Sequence, residues 1–210
     1  MSIRLDLQMP VATAQAIVDS VLVDHTVAAV SKIYGGEIAA IYEIALGDAE
    51  QPVILKVYPE SLHWKMQKEV TVASLIQARL SAPVPRILLA DDSKRLLGLN
   101  FILMTKLAGS ILGRLEPTLT QDQLVSAYRQ IGLLLREFHR IPMEAFGYIG
   151  ASGISTAHLT NHDYLSFQFD KEAKGVHGAR RCCRSRPADR STCFKACAPP
   201  PRMLPPGALS

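Results

Sequence analysis

Cysteine is missing from the first 181 residues, no stretch approaches 18 consecutive apolar residues, and the N-terminus MSIRLDLQMPVATAQ has no apolar signal core. The last two gaps argue against a membrane helix and a secretory leader, so the sequence predicts a soluble, cytoplasmic protein with no membrane partner. All four cysteines (Cys182, Cys183, Cys193 and Cys197) crowd into the last 37 residues. No disulfide framework is expected from them, because a cytosolic chain keeps such thiols reduced. Asparagine is scarce as well, with only Asn100 and Asn161 in 210 residues.

What is present can build a core. The chain is 48% hydrophobic with a mean hydropathy of +0.13, enough for one domain or two small lobes. The net charge of +4 is unevenly placed: residues 174–210 hold eight Lys/Arg against one acid, so the tail carries +7 and the first 173 residues −3. Six of the 13 prolines also fall in the tail. Two kinds of sequence meet near residue 173.

In the front part, Val11, Ala14, Ile17, Val18 and Val21 are spaced for a short amphipathic helix. The run AVSKIYGGEIAAIYEIAL predicts a hairpin turning at Gly35-Gly36, and VILKVY, residues 53–58, a third strand. Pro59 ends that strand, and Ser61 is placed to cap a helix over about 62–80. APVPRILLADD restarts extended structure, since a residue before proline is pushed out of the helical region. After the turn at Asp91-Asp92-Ser93, LLGLNFILMTKL supplies one or two more strands. Thr120 and Gln123 form a capping-box signature ahead of Leu124, Tyr128, Ile131, Leu135 and Phe138, a stripe at helical spacing that ends beside His139. A small sheet with one inserted helix, followed by a helical segment, is α+β organisation in two lobes.

Lys56 is the odd residue in VILKVY. A lysine inside an apolar strand either snorkels to water or needs an anion, because unpaired buried charge costs several kcal/mol. Glu69 follows 13 residues later, on the helical face of Ala73, Ile76 and Leu80 that should lie on the sheet.

The order of segments resembles the aminoglycoside phosphotransferase family, small-molecule relatives of the protein kinases. It comprises Tyr34-Gly35-Gly36, VILKVY, KEVTVASLI, PVPRILLAD, FILMTKLAG, IGLLLREFHRI and FGYIG, over about residues 28–168. The resemblance implies a protein-kinase-like two-lobe fold and ATP-dependent phosphoryl transfer to a small-molecule hydroxyl. It implies that Lys56 holds the α- and β-phosphates of ATP and that Glu69 orients it. Gly35 and Gly36 would let backbone N–H groups approach phosphate. Met104 would stand at the back of the adenine pocket, with the backbone of Thr105 and Leu107 at the adenine edge.

The catalytic half does not follow. The family's loop needs an acceptor-positioning aspartate with an asparagine five residues on, and Mg2+ needs a second aspartate downstream. Five residues after Asp163, Asp170 and Asp189 stand Gln168, Gly175 and Phe194, so no catalytic or metal residue is assigned and the Mg2+ ligands are absent from this chain. His139 reads as a helix-end residue, and Trp64 and Met66 as packing.

The tail admits three readings. A zinc site from His177 and the cysteines has no CxxC pair to support it. A basic nucleic-acid-binding segment is allowed by charge alone. Enrichment in Arg, Pro, Cys, Ala and Gly is what GC-rich codons give when translated out of frame, and this reading accounts for most of the tail's features.

The expected organisation is therefore a nucleotide-binding lobe over 1–107, the start of a helical lobe over 108–172, and a disordered basic tail over 173–210. The expected function is a truncated, inactive phosphotransferase with ATP and a hydroxyl-bearing small molecule as the family's ligands. A nucleotide-binding pseudokinase, or a partner- or nucleic-acid-binding protein acting through the tail, are the alternatives.

Overall fold

The computed structural model of the protein describes residues 7–34, 38–47 and 51–172, with helical backbone continuing to residue 184. Gly35 and Gly36, expected at the hairpin tip, lie outside the described residues, as does the tail from residue 185. The chain divides into two compact units, Met1–Ala157 and His158–Ser210.

The first unit is built on a five-stranded antiparallel sheet in the order β1-β2-β3-β5-β4. Its strands are β1 (Val27–Ile33), β2 (Ala40–Leu46), β3 (Val53–Tyr58), β4 (Ile87–Asp91) and β5 (Asn100–Thr105). Helix α1 (Val11–Asp19) precedes the sheet, and α2 (His63–Ile76) joins β3 to β4. The expected hairpin and third strand are in place, with Ile41 opposite Lys56 and Lys56 opposite Ile102.

Strand periodicity divides the core in two. Val53, Leu55 and Val57 point with Tyr42, Ile44, Phe101 and Leu103 toward α1, whose Ala14, Ile17 and Val18 are fully buried. Ile54, Lys56 and Tyr58 point the other way, where Met66 of α2 packs with Tyr58, Ile102 and Met104. Burying each large aliphatic side chain contributes about 1.5–3 kcal/mol, so both faces hold β3 at the centre of the sheet.

Helix α2 differs from its expected form at both ends. Ser61 does not cap it: Glu60–Leu62 forms a single 3-10 turn, Leu62 N–H bonds back to the Pro59 carbonyl at 2.9 Å, and Leu62 stands at the N-cap without a side-chain bond. The helix stops at Ile76 rather than near residue 80, where Arg79 N–H closes a tighter turn on the Ile76 carbonyl. Leu80 is therefore not on the Glu69 face. Ser81 just beyond is tied elsewhere, its N–H and hydroxyl donating to the two carboxylate oxygens of Glu137 at 2.7 and 2.6 Å.

After β5 come the short α3 (Leu112–Leu115) and the long α4 (Gln121–Phe138). The capping box is formed as the sequence predicts: the Thr120 hydroxyl accepts from Gln123 N–H and the Gln123 side chain accepts from Thr120 N–H. His139 is the C-cap. A two-stranded hairpin, β6 (Phe146–Gly150) and β7 (Gly153–His158), was not anticipated. Its strands approach so closely that a Cβ on Gly147 would lie 2.4 Å from Ile154 Cγ2.

In the second unit, α5 (Asn161–Arg184) takes in the first 12 residues of the expected tail, 173–184. Once nucleated, a helix gains one hydrogen bond for each residue added, and Lys171-Glu172-Ala173-Lys174 are good helix formers. Among the described residues, no helix is long and apolar enough to cross a membrane.

Candidate functional site

Lys56 and Glu69 meet. The Lys56 ammonium donates to both Glu69 carboxylate oxygens at 2.6 Å, with the lysine side chain 22% exposed and the glutamate 35%. Strand alternation turns Lys56 toward α2, and the helix presents Glu69 on the face that packs on the sheet. A compact ammonium held on two oxygens keeps a fixed position, whereas a snorkelling lysine would sample many rotamers.

Tyr58 completes the cluster. It is fully buried, its hydroxyl donates to Glu69 Oε2, and its ring centre lies 5.6 Å from Lys56 Nζ. Burial first, and then the hydrogen bond to the Glu69 carboxylate, push its phenol far above the ordinary value of 10.0. It is a neutral donor throughout the physiological range. Tyr58 is two residues from Lys56 and on the same strand face, so alternation alone could have found it.

The three side chains line a cavity of about 740 Å³. Ile38, Ala39 and Ile41 from the β1–β2 hairpin bound it on one side, and Val72, Ala73 and Ile76 of α2 on another. Met104 lines it from β5 and is nearly buried.

Thr105 N–H already donates to the Arg86 carbonyl at 2.9 Å, and Arg86 N–H donates to Thr105 Oγ1. The Thr105 amide is thus engaged within the fold. Lys106 next to it pairs with Glu43 of β2 at 2.8 Å, which anchors the segment. Among the described residues, Leu107 N–H has no hydrogen-bond partner.

The mouth of the cavity holds residues the sequence did not assign to it. Trp64 packs on one side only: its ring lies against Tyr148, but it is 47% exposed and lines the cavity, whereas Met66 is buried as expected. Tyr148 of β6 also lines it, accepting a hydrogen bond from Lys68 at 2.9 Å. Thr71 of α2 donates to the Ala151 carbonyl at 2.7 Å, a second tie between this helix and the β6–β7 hairpin. Lys68 and Tyr148 are 80 residues apart, and no local pattern signals their contact. Among the described residues, no group of three or more His, Cys, Asp or Glu is placed to hold a metal ion.

An antiparallel five-stranded sheet with a lysine on its central strand, held by a glutamate from the inserted helix, is the architecture of a kinase-like phosphotransferase lobe. The model of the phosphotransferase enzyme family, APH, matches residues 30–181, and the chain belongs to that family.

Among solved structures, one of the aminoglycoside phosphotransferase APH(4)-Ia shares the fold, and others of the same protein are also similar. A thermostable variant in ternary complex with AMP-PNP and hygromycin B is 13% identical, with a TM-score of 0.57 over 87% of this chain and 55% of that one. A second variant with the same ligands is 14% identical, with a TM-score of 0.49 over 69% and 46%. A third, with ADP and hygromycin B, is 14% identical, with a TM-score of 0.48 over 68% and 44%. The chain thus spans about half the length of the structures it matches. No curated protein matches its sequence.

Proposed function

We propose that residues 1–107 are the nucleotide-binding lobe of an ATP-dependent small-molecule phosphotransferase, with residues 108–172 opening its helical lobe. The observation that carries this is the Lys56 ammonium, fixed on both Glu69 oxygens at the wall of a cavity large enough for a nucleotide. The residues present suit ATP. Lys56 supplies a point charge for the α- and β-phosphate oxygens, and Glu69 with Tyr58 holds its rotamer before the ligand arrives. Leu107 N–H is the donor left for the adenine edge, and Met104 lies against the base. Bound ATP supplies the phosphoryl group; the chain's residues supply charge, orientation and an apolar wall.

In the whole family the acceptor is a small molecule bearing a hydroxyl. The 210-residue chain has no aspartate with an asparagine five residues on, and so lacks the acceptor-positioning and metal-holding groups that dominate this chemistry. We therefore expect it to bind nucleotide weakly and transfer no phosphate by itself. The experiment is a calorimetric titration of ADP and adenosine at millimolar levels, together with an ATP-consumption assay using kanamycin. Lys56→Ala should weaken ADP and leave adenosine nearly unchanged. Equal loss of both ligands, or turnover abolished by Lys56→Ala, would overturn the reading.

A further inference from the structure

Two more lysines face the cavity, Lys65 and Lys68 of α2. Among the described residues, the one carboxylate lining it, Glu69, is already engaged by Lys56 and Tyr58. Among the described residues, neither Lys65 nor Lys68 has a carboxylate within ion-pair distance. Each lies instead on an aromatic ring. Lys65 Nζ is 5.3 Å from the centre of Trp64, and Lys68 Nζ is 4.1 Å from the centre of Tyr148. The two ring centres are 6.3 Å apart, with their planes at 53°.

Among the described residues, this mouth offers two cations with no acid paired to them and two flat apolar surfaces together. Stacking on the rings holds each ammonium in place at little entropic cost, while leaving its other protons free to donate. A phosphate gains charge-assisted hydrogen bonds there, and a ring attached to it gains an edge or a face to pack on. A polycationic molecule meets like charge in the same position.

We propose that Lys65, Lys68, Trp64 and Tyr148 form a subsite for a small phosphate-bearing aromatic molecule, separate from the Lys56 position. It sets the cavity mouth apart from a surface built for polyamine-like acceptors.

Trp64 is the chain's only tryptophan, so its fluorescence reads the subsite directly. Phenyl phosphate, added to the full chain, should change Trp64 emission saturably at about millimolar levels. Phenol and inorganic phosphate should each bind about tenfold more weakly, because each lacks one of the two contacts. Lys65→Gln and Lys68→Gln should each weaken phenyl phosphate about tenfold, with binding falling as salt rises. Both side chains are partly exposed, so the fold withstands the exchange. Spermine should produce no saturable change.

Unaltered affinity in both variants, or no saturation by about 20 mM phenyl phosphate, would overturn the proposal. So would loss of phenyl phosphate in Lys56→Ala matching that in Lys68→Gln, since the anion would then sit on Lys56. If ADP fails to bind while phenyl phosphate does, the nucleotide reading falls and the subsite stands.

Discussion

Glu69 takes the Lys56 ammonium on both of its carboxylate oxygens, each at 2.6 Å, across 13 residues of sequence. The contact joins the central strand to helix α2, inserted between β3 and β4, and each partner answers the other's charge in a partly dry setting.

Removing one partner strands the other. Lys56→Met or Glu69→Gln alone should lower stability by about 1–3 kcal/mol, and the double variant should recover part of the loss. Urea unfolding of the four proteins measures the coupling. A value within error of zero would mean that the pair contributes nothing beyond its separate members.

Tyr58 sets an alkaline limit. Its phenol is raised in the fold, so an unfolded chain loses that proton first, near the ordinary value of 10.0. The contribution to stability is present in full below that pH and is lost as pH rises toward the folded value. Melting temperatures from about pH 9 to about pH 11 should fall less steeply in Tyr58→Phe than in the parent. Parallel slopes would assign no role to Tyr58 ionisation.

Glu137 sets an acid limit at the far end of α4. The Ser81 hydroxyl and N–H hold its carboxyl below the ordinary value of 4.5. Its share of stability is present above that value and disappears as acid protonates the folded form. In Ser81→Ala the Glu137 titration, followed by carboxyl-carbon NMR, should move up toward the ordinary value. No movement would mean the backbone bond alone fixes it.

Helix α4 carries an exposed apolar stripe. Tyr128, Ile131, Leu135 and Phe138 are 55, 41, 50 and 37% accessible, and none of its 18 residues is buried. Such a stripe amounts to on the order of a few hundred Å², which at about 25 cal/mol per Å² is several kcal/mol of burial forgone. The chain should bind ANS and associate with rising concentration, and Leu135→Glu should reduce both. Sedimentation velocity and dye fluorescence check this. A monodisperse monomer melting cooperatively above about 50 °C would contradict it.

Legibility in the sequence followed the range of the interactions. The alternation of Val53 to Tyr58 and the Thr120–Gln123 capping box are local, and both appear as read. The Lys56–Glu69 contact was legible because strand and helix periodicity each fix one partner's direction. Ser61 misled, because the turn begun at Pro59 closes before the helix starts. Residues 77–80 kept a helical pattern, but a tighter turn and the Ser81–Glu137 bonds take the chain elsewhere. The place of Trp64 beside the cavity has no local signal, because its ring partner, Tyr148, arrives from a hairpin far along the chain.

The sheet order places β3 between β2 and β5, so Lys56 rides on a strand bonded along both edges. Releasing its backbone means breaking two ladders at once, whereas α2 is tied to its neighbours, the sheet and the β6–β7 hairpin, mainly through side chains. Amide exchange at Ile54, Lys56 and Tyr58 should therefore track global unfolding, and exchange along α2 should track smaller openings. The ion pair then bridges a slow element and a faster one. Each brief excursion of α2 uncouples Glu69 while the lysine stays at its post, which makes the helix the adjustable half of the site.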